Sequence, residues 1–204
     1  EYSGAGGRVH PKLPQEVGID VSVFTRDGIE RVMRYAFELA LTRPKKQLTL
    51  VTKSNAQRHG MVLWDEVFEK LKHDYPGITT DRMLVDAITT RMVLQPQSLD
   101  TIVATNLHAD ILSDLAAALS GSLGIGPTAN INPERTFPSM FEPIHGSAFD
   151  LVGKDLANPL GAFWSCVMML EHLQEKKGAS LLMSAIEEVC QEGRHLPKDL
   201  GGNS

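Results

Sequence analysis

Thr105-Asn106-Leu107-His108-Ala109-Asp110-Ile111-Leu112-Ser113-Asp114 carries a short apolar strand, Thr101 to Thr105, into a helix that runs to Leu119. A strand feeding a helix is the repeating step of a parallel α/β sheet, and such sheets bind ligands at the edge where their strands end. Asp110 and Asp114 are four residues apart, so they lie on one helix face one turn apart. Both carboxylates can therefore approach a single hard divalent cation, Mg2+ or Mn2+. The same spacing also describes two acids that favour the helix dipole and face water.

The same strand-then-helix step recurs upstream. Leu48 to Thr52 reads as a buried strand, with Lys53 directly at its end and Asn55 two residues on. That is an address for a general acid or base, although a solvated surface lysine fits the spacing equally. Val62, Trp64, Val67, Phe68 and Leu71 then repeat at helical spacing up to the stop at Tyr75-Pro76-Gly77. The pattern predicts a further helix from about Asp81 to Leu94. It carries Asp86, which is either a cleft-facing ligand or an ordinary exposed acid. Nearer the start, Thr25 is a good N-cap for a helix ending at Arg43-Pro44, with Ile29, Val32, Met33, Ala36, Phe37 and Ala40 on its apolar face. Before it, the Gly- and Pro-rich residues 3 to 16 read as an extended arm or hairpin leading into the strand-like stretch Gly18 to Phe24. The expected architecture is α/β, with strand and helix alternating three times.

Downstream of Leu119 the composition changes to Gly and Pro, which suggests a domain crossing and a division into residues 1–120 and 121–204. Two helices close the chain, Leu160 to about Leu173 and Ala179 to about Glu192, with a break expected at Lys177-Gly178. Between them and the crossing, Glu142-Pro143-Ile144-His145-Gly146-Ser147-Ala148-Phe149-Asp150 forms a turn-rich loop. Its backbone N–H groups, hydroxyl and imidazole could serve a nucleotide. By composition alone it could also be a structural surface loop with a packed histidine. It is neither a Walker sequence nor the G-x-G-x-x-G of an ordinary Rossmann site.

Composition sets the outer limits. With 204 residues, 42% of them hydrophobic, the chain can bury one sizeable core or two smaller ones. The 25 acids exceed the 20 bases for a net charge of −5, which points away from nucleic acid and from anionic membranes as partners. The sequence contains no apolar run long enough to span a bilayer, so no membrane partner and a cytoplasmic location are expected. Cys166 and Cys190 both lie in apolar periodic stretches and are expected as two buried thiols rather than a disulfide. The chain opens Glu-Tyr-Ser-Gly without an initiator Met, and it is expected to be the C-terminal portion of something longer.

Two long segments, NLHADILSDLAAALSGSLGI from Asn106 to Ile125 and FEPIHGSAFDLVGKDLANP from Phe141 to Pro159, resemble the β-decarboxylating dehydrogenase family. That family includes the isocitrate, 3-isopropylmalate, tartrate and D-malate dehydrogenases, and the likeness covers essentially the whole chain. The resemblance implies an isopropylmalate dehydrogenase-like fold with non-Rossmann dinucleotide binding. It makes Tyr2 and Lys53 the catalytic residues, Asp86, Asp110 and Asp114 the metal ligands, and Asn55, Glu142, His145, Gly146, Ser147, Ala148, Asp150 and Asn158 the cofactor-binding residues. It also implies a homodimer with shared active sites, in which Lys53 and Asp86 reach into the partner's cleft. Residues 1–120 would then hold the dimerisation, metal and catalytic parts, and 121–204 the C-terminal part of the NAD-binding domain.

The expected reaction is the oxidation and decarboxylation of a small 2-hydroxy dicarboxylic acid, with Lys53 or a water it controls taking a proton and Tyr2 returning one. Asp150 would favour NAD, because a carboxylate there accepts bonds from ribose hydroxyls and repels a 2′-phosphate. The stretches NINPERTFPSMFEPIHGSAFD and VFTRDGIERVMRYAFELA look more like the tartrate and D-malate branch than the isopropylmalate branch. His108-Ala109 stands where many members have Phe-Gly, and Phe149 where Pro is usual. The alternatives are 3-isopropylmalate dehydrogenase, a non-catalytic regulatory subunit of the same fold, and an interaction fragment that dimerises through apolar helical faces including Trp64 and Phe68. Retention of Tyr2, Lys53 and all three aspartates argues against the regulatory subunit.

Overall fold

Leu48, Thr49, Leu50, Val51 and Thr52 are all buried, so the strand they form must be covered on both faces. In the computed structural model, which describes residues 1–202, this strand is β3 (Gln47–Thr52). It is the middle of a three-stranded parallel sheet, between β4 (Thr79–Leu84) and β5 (Thr101–Val103). The register sets Leu50 opposite Arg82 and Thr52 opposite Leu84. Leu48 and Leu50, two apart and hence on one face, join the core built from α1 (Arg26–Thr42) and α2 (Gly60–Leu71). Phe37 of α1 sits at the centre of that core, stacked on Phe68 at 5.4 Å and on Tyr75 at 4.7 Å. The helix α3 (Val85–Leu94) lies against β3 and β4.

Local signals placed several of these elements well. The Thr25 hydroxyl accepts from the Gly28 N–H at 3.2 Å, and α1 ends at Arg43, whose extended backbone is what a following proline demands. Ile29, Met33, Ala36, Phe37 and Ala40 are buried as the spacing predicts, whereas Val32 is exposed on the helix flank. Trp64 and Phe68 point into the core rather than outward, which removes the apolar interaction face that the sequence suggested for them.

Two boundaries differ from the sequence expectation. The segment from Asp81 is not helical until Val85: residues 79–84 form β4, because β3 offers a free edge whose ladder outweighs the local helical periodicity. The strand-like stretch before α1 does not enter this sheet. Instead β2 (Val17–Asp20) pairs with β1 (Gly6–Val9) in an antiparallel hairpin, and all residues of both strands are exposed.

The chain divides into two compact units, one from Glu1 to Leu112 and one from Ser113 onward, the division falling within α4 (Asn106–Leu119). In the second unit, β6 (Pro127–Asn130) and β7 (Met140–Pro143) form an antiparallel hairpin against α5 (Leu160–His172), which packs on α6 (Lys176–Glu192). Gly161 lets α5 approach closely, since a Cβ there would stand 2.9 Å from the Gly124 carbonyl oxygen. The break between α5 and α6 falls at Gln174, with φ of 66°, and not at Lys177-Gly178, which is helical and beside Leu170. Neither thiol is fully buried: Ser165 and Val167 take the inward positions of α5, leaving Cys166 exposed, and Cys190 is half-buried. Among the described residues no helix is long and apolar enough to cross a membrane.

Replacing Thr25 with Ala removes the cap that the Gly28 N–H uses, and should lower stability by about 1 kcal/mol. Urea unfolding with an unchanged slope is the appropriate measurement.

Candidate functional site

The start of α4 is held from an unexpected quarter. The Glu1 carboxylate accepts from the Thr105 hydroxyl at 2.6 Å and from the Leu107 N–H at 3.0 Å, so an acid from the chain's first residue satisfies a helix N-terminus. No sequence motif marks Glu1, because the contact joins residues more than a hundred positions apart. Beside it the Tyr2 hydroxyl donates to Asp110 Oδ2 at 3.4 Å. Desolvation, then the Asp110 and Glu1 carboxylates, push the Tyr2 phenol above its ordinary range, so it keeps its proton at neutral pH. Asp114 follows on the same helix face, and both aspartates are exposed.

A second pair forms where β3 and β4 end. Lys53 Nζ donates to Asp86 Oδ1 at 2.5 Å, and that bond holds the Asp86 carboxyl below the usual carboxylate range. Parallel pairing explains the meeting, since Thr52 and Leu84 are in register and each is followed within two residues by its half of the ion pair. The backbone around Lys53 is tightly turned: its carbonyl accepts from the N–H groups of Ala56 and Gln57, both at 2.9 Å. Asn55 is exposed in that turn. Next to it, the Ser54 hydroxyl donates to Asp65 Oδ2 at 2.7 Å, and Arg82 Nη1 donates to the same oxygen at 3.1 Å. Sequence reasoning missed Asp65, which lies among apolar helix positions and carries no spacing signal.

Tyr2 thus meets Asp110, and Lys53 meets Asp86. Among the described residues no three His, Cys, Asp or Glu gather closely enough to hold a metal ion.

The loop after β7 belongs to the second unit. Glu142 lies on β7 opposite Thr128, and His145, Gly146, Ser147, Ala148 and Asp150 are all exposed. Ala148 takes a left-handed conformation at φ 42°, uncommon for a residue with a side chain. Asn158 is more constrained. Its Oδ1 accepts from the Leu160 N–H at 2.9 Å and its Nδ2 donates to Asp199 Oδ2 at 2.8 Å, which also accepts from the Ser122 hydroxyl. Burial pushes the Asp199 carboxyl up, but the hydrogen bonds from Ser122, Asn158 and the Asp199 and Leu200 backbone together hold it below the usual carboxylate range.

The sequence profile of the isocitrate/isopropylmalate dehydrogenase family matches residues 1–204. The chain belongs to this family. Its fold is of the isocitrate dehydrogenase type: the crystal structure of isocitrate dehydrogenase from Methylococcus capsulatus superposes with a TM-score of 0.89 at 40% identity, covering 98% of this chain and 58% of that one. Similar relatives within the family include a probable tartrate dehydrogenase/decarboxylase of Agrobacterium vitis, 65% identical over all 204 residues. They also include the D-malate dehydrogenase [decarboxylating] of Escherichia coli (strain K12), 48% identical over 209 aligned residues. The chain spans 57% of the length of the first and 58% of the second.

His108 stands near the start of α4. It is buried at 7% exposure, and its Nδ1 has no hydrogen-bond partner. Desolvation, with the nearby Lys53 charge, depresses its pKa below the ordinary imidazole value of 6.5 despite the opposing pull of Glu1. The folded state therefore resists a proton that the unfolded state accepts. Stability should fall as pH drops below 6.5 and level off once the folded-state value is passed. His108→Phe should remove that component, as thermal melts between neutral and mildly acidic pH would show. NMR should place the His108 ring midpoint below the ordinary imidazole value of 6.5.

Proposed function

We propose that this chain contributes the metal, catalytic and part of the cofactor site of an NAD-dependent dehydrogenase that oxidises and decarboxylates a small 2-hydroxy dicarboxylic acid of the tartrate and D-malate class. The observation that carries the reading is the pairing of Lys53 with Asp86 where β3 and β4 end and of Tyr2 with Asp110 at the start of α4, each half of a site. The relatives' names, tartrate dehydrogenase/decarboxylase and D-malate dehydrogenase [decarboxylating], support the substrate class.

The two halves meet in a homodimer, where Lys53 and Asp86 of a second copy join Tyr2, Asp110 and Asp114. The hairpin β1–β2 supports this, because a two-stranded ribbon with Val9, Val17 and Ile19 exposed is marginal by itself and gains from a partner. Residues 1–120 carry dimerisation and the metal and catalytic groups, and residues 121–204 carry the cofactor loop. The cytoplasm fits such an enzyme, and the net charge of −5 leaves no basic surplus for nucleic acid.

The residues fit the groups assigned to them. Asp86, Asp110 and Asp114 make an all-oxygen, triply anionic donor set suited to Mg2+ or Mn2+. The exposed N–H groups around left-handed Ala148, with the Asp150 carboxylate, suit a dinucleotide whose adenosine ribose bears free hydroxyls. Bound there, the cation supplies Lewis-acid polarisation of the substrate hydroxyl and the nicotinamide supplies the hydride acceptor. Lys53 in its free-amine form, or a water it orients, takes the hydroxyl proton as the carbon gives up hydride. After the β-carboxylate leaves as carbon dioxide, Tyr2, still protonated, returns a proton to the carbon that carried it.

Lys53→Met in the full-length protein should lower kcat by about a hundredfold or more while leaving NAD affinity unchanged. The assay is NAD reduction with D-malate, tartrate and 3-isopropylmalate, with and without Mn2+. Full activity of the variant would remove Lys53 from the mechanism, and no turnover of any of the three by the parent would overturn the substrate class. Asp150→Lys should shift the ratio of kcat/KM for NAD over NADP toward NADP by about tenfold or more, the size expected for losing one charge-assisted hydrogen bond.

A further inference from the structure

The carboxylate of Asp65 has no part in the chemistry described above, yet it is placed at a cost. It is 9% exposed on α2, among Met61, Trp64, Val67, Phe68 and Leu71, which are all apolar and buried. Oδ2 accepts from the Ser54 hydroxyl at 2.7 Å and from Arg82 at 3.1 Å, while Oδ1 is buried without a hydrogen-bond partner. A buried carboxylate with one oxygen unsatisfied is expensive compared with an apolar side chain of similar size, so packing alone does not account for it.

What Asp65 grips is informative. Ser54 lies between Lys53 and Asn55, in the turn closed by the Ala56 and Gln57 N–H groups on the Lys53 carbonyl, and its own N–H donates to Thr52 Oγ1 at 3.3 Å. Arg82 lies on β4, whose end leads directly into the helix turn bearing Asp86. One oxygen atom therefore ties together the segments that carry both members of the Lys53–Asp86 pair. Rotating Ser54 away from Asp65 would turn the Lys53 backbone with it.

We propose that Asp65 is a positioning residue for Lys53, acting through the Ser54 hydroxyl and braced by Arg82. The inference rests on the reading of Lys53 as the catalytic base. A base must lie within hydrogen-bond reach of the proton it takes, and a misplacement of about 1 Å costs on the order of a hundredfold in rate. In this role Asp65 and Ser54 act on the backbone that carries Lys53 rather than on substrate or cofactor, so their effect belongs in kcat.

The test uses the full-length protein and steady-state kinetics with the best of the three substrates. Ser54→Ala should lower kcat by about tenfold or more with KM for NAD unchanged and the melting temperature held, and Ser54→Thr, which keeps the hydroxyl, should restore most of the loss. Asp65→Ala should lower kcat by a similar factor, and the double variant by no more than either alone, since the two residues act as one unit. Asp65→Asn, which still offers an oxygen to Ser54, should be less impaired. If Lys53→Met is inactive while Ser54→Ala keeps the parent kcat, the positioning role is overturned and the role of Lys53 stands, even where Asp65→Ala fails to fold. Additive losses, or a loss in Asp65→Ala that follows the melting temperature with Ser54→Ala silent, would mark Asp65 as merely structural and overturn the proposal. Full turnover by Lys53→Met would overturn both readings together.

Discussion

Burial of β3 on both of its faces is the constraint from which the rest of the first unit follows. A strand whose every side chain is sequestered must have sheet neighbours on each edge and helices above and below, and parallel neighbours bring all their C-terminal ends to one side. Lys53 leaves the end of β3 and Asp86 the end of β4, so the ion pair between them is a direct product of strand register. The stacked rings of Phe37, Phe68 and Tyr75 hold α1 and α2 on the sheet and keep that register from slipping.

Much of this could be read from the sequence because the relevant signals are local. The Thr25 cap, the Arg43-Pro44 stop, the apolar run of β3 and the strand-to-helix step at Thr105 each depend on residues within a few positions of one another. The candidate residues rest on a different kind of signal. Two long segments carry the likeness to one family, and Tyr2, Lys53, Asn55 and Asp86, which lie outside them, rest on its extension over the whole chain. What stayed hidden depends on distant partners. Residues 79–84 look helical until β3 offers them a ladder, and Val17 to Asp20 look like a sheet strand until their pairing with Gly6 to Val9 is seen. Glu1 and Asp65 act through contacts that no spacing encodes. Cys166 is misread because α5 is apolar around most of its circumference, and periodicity cannot choose an inward face when nearly every face qualifies.

One chain of hydrogen bonds in the second unit runs across three segments. The Gly124 N–H donates to Ser122 Oγ, whose hydroxyl donates to Asp199, which also receives Asn158, which in turn accepts from Leu160. The chain's last turn thereby fixes the amide orientation of Asn158 at the threshold of α5. A residue proposed to face the cofactor is thus set by groups on three separate segments, each oriented by donor and acceptor polarity rather than by packing.

The β1–β2 ribbon has a further consequence. With every residue of both strands open to water, its outer edges present unsatisfied N–H and C=O groups that can template another strand. Completion of such a ribbon by a like ribbon obeys mass action, so the folding of this arm would be coupled to protein concentration. Dilution would then loosen the arm before it touched the sheet around β3, and the order in which the molecule comes apart would depend on how much of it is present.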